Sequence, residues 1–255
     1  MKQLCALLTI AVFLLSGRAG GAAPRYERDT AGAVKQFMQK VQQAYKSAAY
    51  LSFHVKYRYA NKDNPQRYID TIQGEVAMDK NRMRFIIEEV ETVTNDKYTI
   101  RVDHDEKLIY LSTPQPAQMA DPLAMLDSAL AHFEGIKAQV THNKSQSTLV
   151  LNFPPGQPYK NITMVIDEKT GFVQRVLYEL YTDGLVEKDQ VIGQGGNGIY
   201  QAEGRIEILF TDYRQGQFSD ALFNEGGYFT RLGQGQYEPS EKYKDYQVFL
   251  ASSKL

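Results

Sequence analysis

The stretch "LSFHVKYRY", Leu51 to Tyr59, alternates apolar and polar residues without a break. Leu51, Phe53, Val55, Tyr57 and Tyr59 fall on one side, and Ser52, His54, Lys56 and Arg58 on the other. This is the period-two pattern of a half-buried β-strand. The pattern recurs in "RYIDTIQGEVAMD", "MRFIIEEVETV", "KYTIRV" and "LIYLS". It returns in "IKAQVTH", "STLVLNF", "YKNITMVID", "FVQRVLYELY" and "GRIEILFTDY", which ends at Tyr213. Short turns such as "KDNPQ", "KNR", "TND", "PPGQP" and "DEKTG" separate these segments. Sequential strands with short connections pair antiparallel. Gly74, inside a strand pattern, predicts a bulge or a close approach.

Two helices interrupt the strands. In "TAGAVKQFMQKVQQAYKSA", residues Val34, Phe37, Met38, Val41 and Tyr45 recur on one face at helical spacing. The second is punctuated by Asp121 as N-cap and Pro122 at the first helical position, with Gly135 as terminator. Leu123, Leu126, Leu130 and Phe133 share its apolar face. The predicted order is helix, five strands, helix, about five strands, then a polar, Tyr-rich tail from Gln215 with short strand-like pieces near Tyr228 and Tyr246. A single domain over residues 24–255 is the simplest organisation, and 255 residues suffice for a sizeable core.

Lys2, the apolar run "LCALLTIAVFLL" and the small-residue stretch "SGRAGGAA" follow the order of a secretory signal peptide. The run is too short to span the ~30 Å hydrocarbon core, so cleavage near Ala23 and export of a soluble chain are expected. The only cysteine, Cys5, lies in that run, which leaves the mature chain without a disulfide or thiolate chemistry. A formal net charge of −1 supplies no basic field for nucleic acid.

Three patterns resemble chemistry, and each has a plainer reading. "RVDHDEKLIYL" places His104 between Asp103 and Asp105, but neighbouring side chains on a strand diverge and metal ligands must converge. Flanked by "YTIRV" and "LIYLS", the segment reads as a hairpin turn. "GQGGNG", Gly193 to Gly198, spells the dinucleotide fingerprint but precedes a strand pattern where the fingerprint needs a helix. His54, His104, His132 and His142 are scattered, and neither G-x-S-x-G nor S-x-x-K occurs. No catalytic residue, metal or cofactor is expected.

The apolar strand faces are the remaining candidates. Phe53, Val55 and Tyr57; Ile72, Val76 and Met78; Met83, Phe85 and Ile87; Met164 and Ile166; Val176, Tyr178 and Leu180; and Ile206, Ile208 and Phe210 would line one side of the sheet. Two helices cannot easily cover ten or so strands. Such a face either packs on something else or encloses a cavity.

"IQGEVAMDKNRMRF" followed by "IRVDHDEKLIYLS" resembles the periplasmic outer-membrane lipoprotein carrier family, the LolA-like proteins. Gly74, Val76, Met78, Lys80, Arg84 and Phe85 match its first motif, and Val102, Asp103, Lys107, Leu108 and Tyr110 its second. The order of elements matches from about Thr30 to Tyr213. The resemblance implies an α+β, mainly β fold. This is a strongly curved antiparallel half-barrel with an N-terminal helix and a lid helix on the concave apolar face. It implies that Phe53, Val55, Tyr57, Ile72, Val76, Met78, Phe85, Ile87, Met164, Ile166, Tyr178, Leu180, Ile206, Ile208 and Phe210 hold acyl chains. Leu123, Leu126, Leu130 and Phe133 on the lid would join them. Lys80 stands where the family has the arginine that latches the lid, and Asn81 follows it in place of the family's proline. His104-Asp105-Glu106 replaces the family's turn glycine. The expected partners are lipid or lipoprotein acyl chains and an inner- or outer-membrane protein, with no nucleic acid, and the chain is expected to be a monomer. The same fold also serves stress regulators that sense lipoproteins, so a sensor or interaction protein is the alternative to a carrier.

Overall fold

A computed structural model describes residues 28–79, 81–114, 135–182, 185–186, 188–192, 198–233 and 235–252. One α-helix is described, α1 (Arg28–Ser47). Six strands follow: β1 (Tyr50–Asn61), β2 (Tyr68–Asp79), β3 (Arg82–Ile87), β4 (Val90–Thr94), β5 (Thr99–Asp103) and β6 (Leu108–Ser112). After the segment of the expected lid come β7 (Lys137–His142), β8 (Gln146–Asn152), β9 (Tyr159–Asp167), β10 (Val173–Tyr181) and β11 (Glu203–Gln215). The tail adds β12 (Phe229–Gly233), β13 (Gln236–Pro239) and β14 (Gln247–Leu250) among short 3-10 turns. Hydrogen bonding orders the large sheet β14-β6-β5-β4-β3-β2-β1-β11-β10-β9-β8-β7, and β12 pairs with β13 apart from it.

The class expected from the sequence is the class observed: mostly a large antiparallel sheet with the N-terminal helix, not closed into a barrel. β14 departs from the antiparallel rule by pairing parallel with β6. The signal peptide, Lys80, the lid segment with Leu123, Leu126, Leu130 and Phe133, His132 and the loop from Gly193 to Asn197 lie outside the described residues.

"MRFIIEEVETV", expected as one strand, is a hairpin of β3 and β4. Glu88 turns the chain at φ 47°, and its backbone N–H donates to the Gln73 carbonyl. A turn at positive φ is ordinarily announced by Gly, Asn or Asp, and Glu88-Glu89 carries no such signal. Gly74 fulfils its expectation: a Cβ there would meet the Ile86 carbonyl oxygen at 2.2 Å.

The chain divides into two compact units. The first holds α1, the later part of β1, the start of β2, β7 to β10 and β11 as far as Phe210. Its core is α1 against strands. Val34, Phe37 and Val41 of the helix are buried with Leu149, Leu151, Ile162, Met164, Ile166, Val176 and Ile208. Cross-strand register explains the grouping. Leu149 faces Met164, Met164 faces Val176, and Val176 faces Ile208. The next row runs Leu151, Ile162, Tyr178, Ile206. The "DEKTG" turn brings the sheet up to the helix. Asp167 accepts from the Lys169 and Thr170 amides, and Gly171 at φ +76° leaves only 3.1 Å from a would-be Cβ to the Lys40 carbonyl oxygen.

The second unit holds the start of β1, most of β2, β3 to β6 and the chain from Thr211 onward. Val93, Ile100 and Leu111 form one cross-strand row, and Glu91, Val102 and Ile109 the next. The tail covers this face with Tyr228, Phe229 and Tyr243, which are buried, and with Tyr237, Tyr246 and Val248. Tail side chains are thus core here, and Ile100, Val102, Ile109 and Leu111 of β5 and β6 belong to that core.

Candidate ligand-binding faces

Side chains alternate across a strand, so each strand of the second unit has a face turned away from the tail. On that face Val76 lies opposite Phe85, Met78 opposite Met83, and Gly74 opposite Ile87. Val76, Met83 and Phe85 are buried, while Met78 and Ile87 keep part of their surface. Phe53 and Val55 of this unit are buried as well, and the Phe53 ring lies 5.0 Å from that of Tyr213. The register therefore brings Val76, Met78, Phe85 and Ile87 together as the sequence suggests. On the opposite side β2 and β3 carry Glu75, Ala77, Asp79, Arg82, Arg84 and Ile86, and the tail's apolar cluster packs on β4 to β6.

In the first unit, Met164, Ile166 and Ile208 are packed in the helix-covered core, where Tyr57, Tyr178, Ile206 and Phe210 join them while only partly buried. Leu180 continues the β10 row opposite Gly204, and Ile72 is buried. The accessible part of this face is rich in rings. Tyr159 lies 5.9 Å from Phe153 and 5.8 Å from Tyr178. Burial pushes the Tyr57 hydroxyl up to about 12 and raises those of Tyr178 and Tyr159 too. These phenols stay neutral at physiological pH. Such a surface acts by taking apolar groups out of water.

The Asp103–Lys107 segment is a turn, as its flanks predict. The Glu106 amide donates to Asp103 Oδ1 at 3.0 Å, and Lys107 sits at φ 56°. His104 is only partly exposed, because the tail closes over it. Its Nδ1 is 2.9 Å from the Tyr246 hydroxyl, and its ring stacks at 6.1 Å from that of Tyr243. Close by, buried Glu91 accepts from Arg84 Nε at 2.7 Å and from the Tyr228 hydroxyl at 2.5 Å. Burial pushes the Glu91 carboxyl up, but the bonds from Tyr228 and Arg84 outweigh it and hold the group below the usual carboxylate range.

The tail is fastened at more points. Arg82 pairs with Asp79 and with Asp220, and its guanidinium lies 4.8 Å from the Phe223 ring. Asn95 donates to the Phe223 carbonyl and to Glu225, each at 2.9 Å, and Lys97 pairs with Glu225. Lys107 pairs with Asp245. Sequence reasoning missed this docking. A signal was present in two unassigned sets: the alternate-face residues Val93, Ile100, Val102, Ile109 and Leu111, and the tail aromatics that needed somewhere to be buried.

No family model and no curated protein matches the sequence. Solved structures do resemble the fold. An uncharacterized conserved protein from Thermus thermophilus is 11% identical, with 86% of this chain and 99% of that chain covered at a TM-score of 0.46. A LolA superfamily protein from Nitrosomonas europaea is 12% identical, with 74% and 96% covered and a TM-score of 0.33. The lipoprotein LppX from Mycobacterium tuberculosis is 13% identical, with 74% and 99% covered and a TM-score of 0.37.

Proposed function

We propose that this protein is exported to the periplasm and binds or carries lipid or lipoprotein acyl chains without catalysis, as in outer-membrane lipoprotein sorting. The observation that carries the reading is the apolar face of β2 and β3. Val76, Met78, Met83, Phe85 and Ile87 line it, on the side away from the tail's ring cluster on β4 to β6. An apolar ligand is what such a face can hold, since each methylene removed from water contributes ~0.8 kcal/mol. The signal-peptide pattern at the N-terminus supports export. Phe53 and Val55 of the same unit would extend the contact, Tyr57, Tyr178, Ile206 and Phe210 would offer apolar lining within the first unit by itself, and Lys80 would latch the lid.

Titration of delipidated protein with a fluorescent fatty acid tests the reading. Saturable binding is expected. Ile87→Gln, at a partly exposed position, should weaken it about tenfold, the equivalent of ~1.4 kcal/mol, while leaving the melting temperature within a few degrees. Absence of saturable binding in the wild-type protein overturns the proposal.

A further inference from the structure

The apolar face of the second unit changes character along its rows. Val76 and Phe85 are followed, in cross-strand register, by Thr92, Arg101 and Tyr110. The neighbouring row runs Met78, Met83, Thr94, Thr99, Ser112. The third row runs Gly74, Ile87, Val90, Asp103, Leu108, so the face carries hydrocarbon on β2 and β3 and, on β4 to β6, hydroxyl groups, Val90, Leu108 and one carboxylate around a single guanidinium. Strands lie ≈ 4.8 Å apart, so Arg101 stands about 10 Å from Phe85 across the sheet.

Arg101 differs from the other charged side chains on β3 to β6. Arg82 pairs with Asp79 and Asp220, Arg84 with Glu91, and Asp103 accepts from the Glu106 amide. Arg101 is exposed at the middle of β5 and has no hydrogen bond or ion pair among the described residues. Asp103, two residues along on the same face, is not within ion-pair distance of it. A guanidinium binds carboxylate or phosphate oxygens through paired N–H donors. Thr92 and Tyr110 are its direct cross-strand neighbours and bring hydroxyls to the same row, with the Tyr110 ring stacked on that of Phe249. An unengaged arginine set in hydroxyls beside an apolar strip matches a ligand that is apolar at one end and anionic at the other.

We infer that Arg101, flanked by Thr92 and Tyr110, is the head-group subsite of the face, and that the preferred ligand is a long-chain amphiphile with an anionic oxygen head. This rests on the acyl-binding reading above and adds its polarity. The chain lies over Val76, Met78, Phe85 and Ile87, and the head lies over β5. Arg101 sets which acyl compounds are held, and the apolar strip sets how tightly.

Three probes of equal chain length separate the two ideas: palmitic acid, hexadecyl phosphate and hexadecanol, each competing with a fluorescent fatty acid for the delipidated mature chain. The wild type should hold at least one of the two anions about tenfold more tightly than hexadecanol, since a hydrogen bond to a charged group is worth ~1.5–3 kcal/mol. The ratio between the two anions tells carboxylate from phosphate. Arg101→Gln should erase the preference and leave hexadecanol binding unchanged, and Arg101→Lys should restore part of it. Equal affinities for all three in the wild type, or a uniform loss in Arg101→Gln, overturn the head-group assignment while the acyl-binding reading stands. If none of the three binds, both fall.

Discussion

The first unit covers a sheet face with a helix, and the second covers one with a tail that is mostly turns and short strands. In the first, one amphipathic stripe, Val34, Phe37 and Val41, meets rows already apolar across four strands. In the second, rings do the covering. Tyr228 and Tyr243 lie 5.7 Å apart and nearly parallel, and Tyr98 meets Phe229 edge-on at 5.1 Å. A helix satisfies its own backbone, so its cover can be wholly apolar. A tail of turns brings polar atoms with it, which is why its seam is studded with Glu91–Tyr228, Asn95–Glu225 and Arg82–Asp220. The helix holds by shape with one ion pair at its edge, Lys40–Glu168, and the tail holds by shape together with several paired charges.

The largest effect that could break this comparison is removal of one buried ring from each cover. Tyr243→Ala and Phe37→Ala should each cost about 3–5 kcal/mol, since both rings are almost fully buried. Amide hydrogen exchange should quicken in β4 to β6 and the tail for the first variant, and in α1, β7 and β8 for the second. Faster exchange in β7 and β8 of Tyr243→Ala would show that the tail is no separate cover.

Helix, strands and turns were legible because each is written locally. Periods of 3.6 and 2 mark α1 and the strands, and Gly171 and Asp167 mark their turn. The tail's role was illegible because it is a contact between residues more than a hundred positions apart, such as Glu91 and Tyr228, and neither partner sits in a periodic pattern that points to the other. The β3–β4 hairpin was missed for a local reason, a turn built on Glu88 without glycine or asparagine. Among the candidate site residues, the strand pattern placed Val76, Met78, Phe85 and Ile87 on one face. It could not say that Met164, Ile166 and Ile208 would meet α1, because no sequence period tells which strands a helix crosses.

Acid should sharpen the contrast in a middle range. Glu91 has a folded pKa below its ordinary value because Tyr228 and Arg84 outweigh its burial. Its contribution is therefore complete above about pH 4.3, the ordinary carboxylate value, and is lost as pH falls through the lower folded value. Glu168 of the first unit has the same sign, from Lys40 and Ser147, but about a third of its side chain is exposed, so solvent screens the pair. Glu91→Gln should cost about 1–3 kcal/mol at pH 7 and Glu168→Gln under about 1 kcal/mol. Denaturant titrations at pH 7 and pH 3 check this. The Glu91→Gln deficit should shrink at the lower pH, and a deficit equal at both would remove the carboxylate from the seam.

The smallest effect concerns the histidines, which look alike in the sequence. His104 is half-buried under the tail, bonded to the Tyr246 hydroxyl and stacked on Tyr243. His142 of the first unit bonds Ser147 Oγ at 2.7 Å, but 60% of its side chain is exposed. Replacing His104 by alanine removes a hydrogen bond and a stacking partner and leaves the Tyr246 hydroxyl to find water. The cost should be about 1 kcal/mol. His142→Ala removes a bond that water replaces at little loss and should cost under about 0.5 kcal/mol. The difference is close to the resolution of chemical denaturation, so the sharper readout is local. In His104→Ala the Tyr243 and Tyr246 ring resonances should broaden or shift while those of Tyr57 and Tyr178 stay in place, and His142→Ala should move neither group. Equal small costs, with the tail tyrosines undisturbed in both variants, would mean that the charged turn is solvated and that the tail is held without His104.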